Sequence, residues 1–551
     1  MIGPIALLFV AAAPLPPADR VPIDAEVIAA FERGDYAAAH AAIGRAVDRC
    51  EATKPTDDRC LDLLHAAGNI AGRAGDAAAS EAFARRALAL ADRTTPPNHP
   101  DRATARNNLA LALSLLGQAE KAEPLYREAL AIYEAALPPG HPLIAAALSN
   151  LAGALMDAGR DADAEPLYRR ALAITEAASG ATAPALAVIL NNLAGSLEGQ
   201  GRPAEAEPLL RRSLAIREGN LPPGHPEIAT AIANLAGNLQ ARGQVTEAEA
   251  QYRRALAIRD AALPPDHPDI ALGAANLAAA LRLLGRYADA ESLYRRALTI
   301  REKTLPPGHP QIAAAYDALA TVLTDQHRFA DAEPLYRRAL QIREAAQGAD
   351  HPDRAITLGN LGANLQAQGR LAEAEPLLRA ALTVQEKTLR PTHPALASTI
   401  GNLATNLHRR GKTAEAEPLF RRALTLREQI LGRDDPRIGT SAANLAGSLA
   451  GQGRYAEAEP LFRRAWQLAT RLPGADHPDR ILAGWSLGEV LLRQQAASPE
   501  ARSLLRGTAT GILDRIAAYP AFDAAASDEL RRYAPVFRAQ VRGAWALSGG
   551  N

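Results

Sequence analysis

The segment from His393 to Asp434 reads HPALASTIGNLATNLHRRGKTAEAEPLFRRALTLREQILGRD, and related segments recur along most of the chain. The proline near its start recurs every 42 residues without a shift in spacing. Its copies are Pro100, Pro142, Pro184, Pro226, Pro268, Pro310, Pro352, Pro394, Pro436 and Pro478. This constant interval predicts a solenoid, because stacked repeats bury a common core only when every repeat has the same shape.

Each repeat contains two runs of apolar residues with helical spacing, separated by a glycine. In the quoted copy, Leu403 and Leu407 belong to the first run, and Phe420 and Leu424 belong to the second. Gly411 follows the first run, where a residue with a left-handed conformation ends a helix at low cost. The repeat is therefore predicted to be a helical hairpin.

The turn glycine keeps its place in the repeats, with His327 as the one departure in the regular array. Leu lies eight residues before it, Ala five after, and Tyr, Phe or Leu nine after. This spacing resembles the tetratricopeptide repeat (TPR), whose usual period is about 34 residues. The longer period and the motif NNLA at 107–110 and 191–194 resemble the kinesin-light-chain type. The resemblance implies an all-α fold, a right-handed α-solenoid of stacked antiparallel helical hairpins.

The pattern divides the chain into four segments. Residues 1–20 are predicted to be a signal peptide with a Pro-rich lead, 21–97 divergent N-terminal TPR units, 98–494 the regular array, and 495–551 C-terminal capping helices. In the last segment, helical spacing predicts one apolar stripe. That stripe comprises Leu504, Leu505, Ile512, Leu513 and Ile516.

The sequence MIGPIALLFVAAA at 1–13 is too short to span a bilayer as a helix. An apolar run that ends in small residues favours a secretory signal, although no Lys or Arg precedes it. The alternatives are an uncleaved apolar N-terminus or a misassigned start codon. We therefore expect a bacterial protein that is periplasmic or secreted, with a cytoplasmic location as the alternative.

The chain has two cysteines, Cys50 and Cys60, on either side of the connection EATKPTDDR. In an exported protein this spacing favours a disulfide that clamps the loop. In the cytosol the same residues would be two thiols without a special role.

Composition and motifs argue against several classes of function. The formal net charge is zero, so the chain has no basic surface of the kind that binds nucleic acid. The repeat architecture accounts for every candidate catalytic or phosphate-binding motif. We therefore expect no enzyme activity, no cofactor, no metal and no integral membrane span.

A histidine precedes the marker proline in most repeats. Packed helices lie about 8–10 Å apart, whereas zinc binds its ligands at about 2 Å, so histidines in successive repeats are not expected to share a metal. They are expected to cap or contact the start of the first helix, with proline at the first helical position. They are His99, His141, His225, His267, His309, His351, His393 and His477.

The repeated motif EPLYRR places a glutamate four residues before an arginine, in the favourable order for an ion pair within a helix. A solvated, self-paired stripe is the preferred interpretation, and an anion-binding ridge is the alternative. The proline of the motif is tolerated if it lies in the first helical turn. The pairs are Glu165 with Arg169, Glu207 with Arg211, Glu333 with Arg337, and Glu417 with Arg421.

An asparagine lies nine residues before the turn glycine in most repeats, and we call this set the asparagine column. Ala318 and Ser486 interrupt it. In TPR proteins the first helices line the concave groove, so the resemblance implies that these amides hold a bound peptide's backbone. The alternative is a hydrogen bond between repeats. The column comprises Asn108, Asn150, Asn192, Asn234, Asn276, Asn360, Asn402 and Asn444.

One helical turn further along the same face, the residues are mostly small, as at Gly153, Gly237 and Gly447. Small residues leave room for a ligand backbone, and the absence of basic residues in the asparagine column disfavours binding of a terminal carboxylate. The sequence thus predicts a non-enzymatic scaffold that binds an extended or helical polypeptide. The alternative is a cytoplasmic regulatory or sensing module that controls a signalling or defence effector.

Overall fold

The computed structural model describes residues 25–32, 35–53, 58–472, 474, 476–517, 530–531 and 533–547. The predicted signal peptide and Pro-rich lead, residues 1–20, lie outside the described residues. Within the described part the regular structure is entirely α-helical, in consecutive antiparallel pairs. The predicted all-α solenoid is confirmed.

Odd-numbered helices up to α23 are the first helices of the hairpins, and even-numbered helices are the second. The first helices are α1 (Ala25–Glu32), α3 (Asp58–Arg73), α5 (Pro100–Leu115), α7 (Pro142–Asp157), α9 (Pro184–Gly199), α11 (Pro226–Ala241), α13 (Pro268–Leu283), α15 (Pro310–Asp325), α17 (Pro352–Ala367), α19 (Pro394–Arg409), α21 (Ile438–Gly451) and α23 (Pro478–Gln494). The second helices are α2 (Tyr36–Thr53), α4 (Ala77–Thr94), α6 (Ala119–Ala136), α8 (Asp161–Ser179), α10 (Pro203–Asn220), α12 (Val245–Ala262), α14 (Tyr287–Thr304), α16 (Phe329–Gln347), α18 (Leu371–Thr388), α20 (Thr413–Leu431), α22 (Tyr455–Ala469) and α24 (Pro499–Ala517). The last described helix is α25 (Ala534–Leu547).

The chain forms two compact units, Met1–Leu293 and Tyr294–Asn551. In each unit the second helix of a hairpin packs against the first helix of the next hairpin. First helices of successive hairpins also contact each other, as α7 does with α9 and α19 with α21. We call the surface formed by the first helices the first-helix face.

The residues that the repeat pattern places in the core are buried. In the quoted repeat, Leu403, Ala416 and Phe420 are all nearly inaccessible to solvent. Alanine at the helix crossing lets the two helices approach closely, and the larger leucine and phenylalanine fill the space on either side. The predicted hairpin core is confirmed.

The turn between the two helices adopts the predicted left-handed conformation. Gly411 has a φ of 78°. His327 has a φ of 60° and is the one non-glycine residue with positive φ in the described part of the chain. A side chain is therefore held in a conformation that costs little only for glycine.

The repeated histidines cap the first helices, as predicted. In the quoted repeat the His393 Nδ1 atom accepts a hydrogen bond from the backbone N–H of Ala395 at 3.2 Å, and Pro394 is the first helical residue. The bond satisfies a backbone donor that has no partner within the helix. The same cap is made by His99, His141, His225, His267, His309, His351 and His477.

The predicted pairs within the second helices are present. The glutamates are mostly covered rather than solvated, because they also link successive hairpins. Glu165 accepts hydrogen bonds from Arg169 at 2.9 Å and from Arg202 of the next hairpin at 2.6 Å. Its side chain is only 15% exposed, because the next hairpin covers one side of it. Burial opposes ionisation, but the arginine and Gln200 hydrogen bonds lower the pKa of Glu165 to about 2. The same arrangement recurs at Glu333 with Arg337 and Arg370, and at Glu417 with Arg421 and Arg454.

The proline of the second helix does not lie in the first helical turn, where it would be tolerated without loss of a hydrogen bond. Pro166 is the sixth residue of α8, because the helix begins directly after the turn, at Asp161. Proline therefore removes an interior N–H that would otherwise donate to the Ala162 carbonyl. Pro418 occupies the same interior place in α20.

The C-terminal helices form a small apolar cluster of their own. Ile512 of α24 is buried against Tyr533 and Val536, and Leu505 is also buried. Leu513, predicted to belong to the same stripe, is 54% exposed. It lies one residue beyond Ile512, which rotates it by about 100° away from the buried face.

Candidate peptide-binding face

In the first unit, several amides of the asparagine column bond to the preceding hairpin. The Asn150 side chain donates a hydrogen bond to the Asn107 Oδ1 atom at 3.0 Å, and Asn234 donates to the Asn191 Oδ1 atom. Each acceptor lies 43 residues earlier in the chain, on the neighbouring first helix. These amides therefore join successive repeats.

Asn108 makes the equivalent contact with a histidine. Its Nδ2 atom lies 3.1 Å from the Nδ1 atom of His65, which is half-buried. Burial lowers the pKa of His65 to about 4, so the imidazole is neutral near pH 7 and its Nδ1 atom accepts the amide proton. Asn192 is also buried and interacts with the Tyr168 hydroxyl.

For three other members of the column, the residue 43 positions earlier has no polar side chain that could accept a hydrogen bond. Asn276 and Asn402 are half-buried and Asn444 is exposed. Within the described part of the chain, none of the three makes a side-chain hydrogen bond. Their amides are thus available to a ligand. The residues that lie 43 positions earlier are Ala233, Gly359 and Gly401.

Asn360 differs again, because the residue 43 positions earlier is the buried Asp317. The Asp317 Oδ2 atom accepts hydrogen bonds from Arg343 at 2.7 Å and from Thr357 at 2.8 Å. Burial raises the pKa of Asp317 to about 6, against the opposing effect of Arg343. Asn360 is half-buried beside this network.

The small residues one turn further along have two different kinds of surroundings. A methyl group at Gly153 would lie 3.5 Å from the Tyr168 hydroxyl, and one at Gly237 would lie 3.4 Å from the Tyr252 hydroxyl. These are ordinary van der Waals distances, so the hairpin's own tyrosine bounds the space beside each of these glycines. A methyl group at Gly447 would meet no atom within 4 Å, so the space there is open.

A cavity of about 260 Å³ lies beside Asn444, between α21, α22 and α23. Its walls combine apolar side chains with a few polar groups at the first-helix face. Among the lining residues are Thr440, Asn444, Gly447, Phe462, Asp479 and Ser486. Of the asparagine column, Asn444 lines this cavity, together with Gly447 one helical turn further along.

Sequence reasoning missed a set of arginines that lie sixteen residues after the turn residue, on second helices. We call this set the arginine column. Arg217, Arg259 and Arg343 are each no more than 5% exposed. The signal was present in the sequence, since a charged residue that follows a small buried residue by four positions lies on the buried side of the helix. The column comprises Arg217, Arg259, Arg301, Arg343 and Arg427.

The two cysteines are bonded in the structure. Their Sγ atoms are 1.95 Å apart, with a Cα–Cα distance of 5.6 Å. Cys60 is buried and Cys50 packs against the same apolar cluster, at the ends of α3 and α2 that face each other. The geometry suits a disulfide.

The family model of the tetratricopeptide repeat matches most of the chain, at residues 59–135, 143–219, 227–303, 311–384, 353–429 and 437–506. The chain therefore belongs to the tetratricopeptide-repeat family. With a constant period of 42 residues, its repeats are of the kinesin-light-chain-like type. No curated protein matches the chain.

Solved structures resemble parts or most of the chain. Crystallised kinesin light chain repeats of Podosopora anserina, described as nearly identical and TPR-like, are 29% identical, with 38% of this chain and 99% of that chain covered and a TM-score of 0.34. BtubC (BKLC) from P. vanneervenii is 26% identical, with 43% and 94% covered and a TM-score of 0.36. The APC/C hetero-tetramer Cut9-Hcn1 gives 12% identity, 92% and 95% coverage and a TM-score of 0.41.

None of the described helices is both long enough and apolar enough to cross a membrane.

Proposed function

We propose that the protein is a non-enzymatic scaffold that binds a polypeptide segment along its first-helix face, with Asn402 and Asn444 as contacts. The observation that carries this proposal is the exposed Asn444 amide beside the open space at Gly447. A side-chain amide both donates and accepts, so it can pair with the N–H and C=O groups of a bound backbone. Membership of the TPR family supports the same role.

The asparagine column provides a matched pair of variants for the test. Peptides selected from a random display library on the full chain would be measured for affinity by calorimetry. Asn402→Ala with Asn444→Ala should weaken binding by about two- to tenfold for each hydrogen bond lost, with little change in melting temperature. Asn150→Ala with Asn234→Ala should lower the melting temperature, because these amides join repeats.

The opposite pattern would reject the proposal. If the Asn402 and Asn444 substitutions destabilised the fold without changing peptide affinity, these amides would have only a structural role. Failure to select any peptide on the full chain would count against the scaffold function itself.

We also propose that the scaffold is exported. The apolar run at 1–13 and the pairing of Cys50 with Cys60 support an oxidising compartment. The N-terminal mass of the native protein tests this: a chain that starts near residue 13 is expected. An intact N-terminus would reject export and favour the cytoplasmic regulatory module.

A further inference from the structure

The buried arginines occupy a common site between three helices. Arg343 on α16 contacts Asp317 of its own hairpin and Asp353 of the next first helix, at 2.7 and 3.2 Å. Thr357, one turn beyond Asp353, also lines this site, because it donates to Asp317. The guanidinium therefore fills a space between α15, α16 and α17.

Arg217 occupies the same site in the first unit. Its Nη1 atom lies 2.7 Å from Ser213 Oγ and 3.5 Å from the Ala187 carbonyl. Across the site, on the next first helix, Glu227 lies 3.7 Å away. An acidic residue lies ten positions after three members of the arginine column, Arg217, Arg259 and Arg343.

The cavity beside Asn444 is this site without its arginine. Three repeats after Arg343, and six repeats after Arg217, the equivalent residue is Ala469. The contacts of Arg343 and Arg217 map, by the same intervals, onto residues that line the cavity. Those lining residues are Gly439, Ala443, Ala465, Asp479 and Ala483.

The acidic residue has remained although the arginine is missing. Asp479 corresponds to Glu227 and Asp353, and among the described residues no cation lies within ion-pair distance of its carboxylate. Two repeats, at Arg301 with Gln311 and Arg427 with Arg437, keep the arginine and lack the acid, and other repeats lack both residues. Thr175 is followed ten positions later by Ala185, and Gln385 by Ala395.

One other repeat combines alanine with an acid, at Ala91 and Asp101. The residue that follows the acid there is Arg102, and its equivalents in two other repeats are Arg354 and Arg480. Arg102 donates to the Thr95 carbonyl at 3.1 Å and to the Asp92 carbonyl at 2.5 Å, both at the end of α4. In the repeat of the cavity, Arg480 lies over the Trp466 ring, 5.8 Å from its centroid, and is not among the residues that line the cavity.

We propose that this cavity accepts an arginine side chain of the bound polypeptide, with its guanidinium beside Asp479. Phe462, Ala465 and Ala469 offer an apolar wall to the aliphatic stem. The planar guanidinium can pair with the carboxylate through two N–H groups, which an ammonium cannot do. The inference rests on the proposed function, and it specifies one residue type that the partner must present.

Saturation-transfer NMR on the full chain tests the cavity directly, with the α-acetylated methylamides of arginine, lysine and leucine as probes. The arginine probe should give the strongest signal. Ala469→Arg restores the residue found in other repeats and should abolish the signal while helicity and melting temperature are kept. Asp479→Asn, at an exposed position, should weaken binding about two- to fivefold, as expected for a solvent-accessible ion pair.

A signal that survives Ala469→Arg would overturn the proposal, as would equal binding of the leucine probe. If Ala469→Arg failed to fold, Asp479→Asn would decide instead. Unchanged binding of the arginine probe to that variant would overturn the proposal. Peptides selected on the wild-type chain separate this inference from the proposed function. Peptides that depend on Asn402 and Asn444 but lack an arginine, and still bind Ala469→Arg, would leave the scaffold function standing and reject the arginine site.

Discussion

The Asp317 carboxylate accepts a hydrogen bond from Arg343 at 2.7 Å, and both side chains are almost completely buried. A buried ion pair of this kind stabilises a fold weakly or not at all relative to apolar residues, yet removal of one partner is costly. The pair fixes how α15, α16 and α17 meet, because Thr357 of α17 bonds to the same carboxylate oxygen.

Asp317→Asn should change how stability responds to pH. Burial raises the pKa of Asp317 to about 6, whereas an unfolded aspartate has a pKa of about 3.9. The folded state therefore binds the proton more tightly, and this group's contribution to stability is lost as pH rises through the folded pKa. Between pH 7 and pH 5 the wild type should gain about 1 kcal/mol relative to Asp317→Asn.

Urea unfolding at the two pH values measures this difference. Asp331→Asn, at an exposed carboxylate of the same hairpin, is the control. An equal stability difference between wild type and Asp317→Asn at both pH values would contradict the prediction.

His65 should give stability the opposite pH dependence to that given by Asp317. Burial lowers the pKa of His65 to about 4, against about 6.5 in an unfolded chain. Its contribution is present above the unfolded pKa and is lost as pH falls toward the folded pKa. Acidification from pH 7 to pH 5 should cost about 2 kcal/mol through this group.

The next repeat suggests the variant for this test, since Asn107 there accepts from Asn150 in the same geometry. His65→Asn should keep a hydrogen bond to Asn108 and reduce the loss of stability on acidification, as measured by thermal melts at pH 5 and pH 7. Equal acid sensitivity of variant and wild type would show that His65 is not responsible.

The fold could be predicted from sequence because the constant interval forces each repeat into the same packing. Leu403, Ala416 and Phe420 are buried where the helical spacing puts them. The interior position of Pro166 could not be predicted, since apolar periodicity does not reveal how soon after the turn a helix starts.

The candidate site could be predicted only in part, because the role of each asparagine depends on a residue 43 positions earlier. Asn150 faces Asn107 and bonds to it, whereas Asn444 follows Gly401 and stays available. That comparison needs the stacking of first helices, which a single repeat does not show. The cavity at Ala469 was missed for the same reason, since it is visible only against the buried arginines of other repeats.

Reduction of the Cys50–Cys60 bond should loosen the start of the first unit. A closed loop of this short length contributes about 2–3 kcal/mol in the chain-entropy model. The native protein should have a mass two hydrogens lower than its reduced form, and the double variant Cys50→Ser, Cys60→Ser should melt at a lower temperature. Two free thiols in protein isolated under alkylating conditions would contradict this prediction.

His327→Gly should stabilise the protein. His327 holds a φ of 60°, in the turn where the other repeats of the regular array have glycine. Relief of this strain should contribute about 1 kcal/mol, partly offset by the greater freedom of glycine in the unfolded chain. The edge-to-face contact of His327 with Phe329, with ring centroids 5.8 Å apart, would also be lost.

Thermal melts of two reciprocal variants isolate the backbone effect. His327→Gly should raise the melting temperature, and Gly369→His, in the following repeat, should lower it, because Gly369 has a φ of 80°. A methyl group at Gly369 would meet no atom within 4 Å, so steric crowding would not explain a lower melting temperature of Gly369→His. If His327→Gly melted below the wild type, the ring contact with Phe329 would outweigh the strain, and the turn would tolerate histidine for that reason.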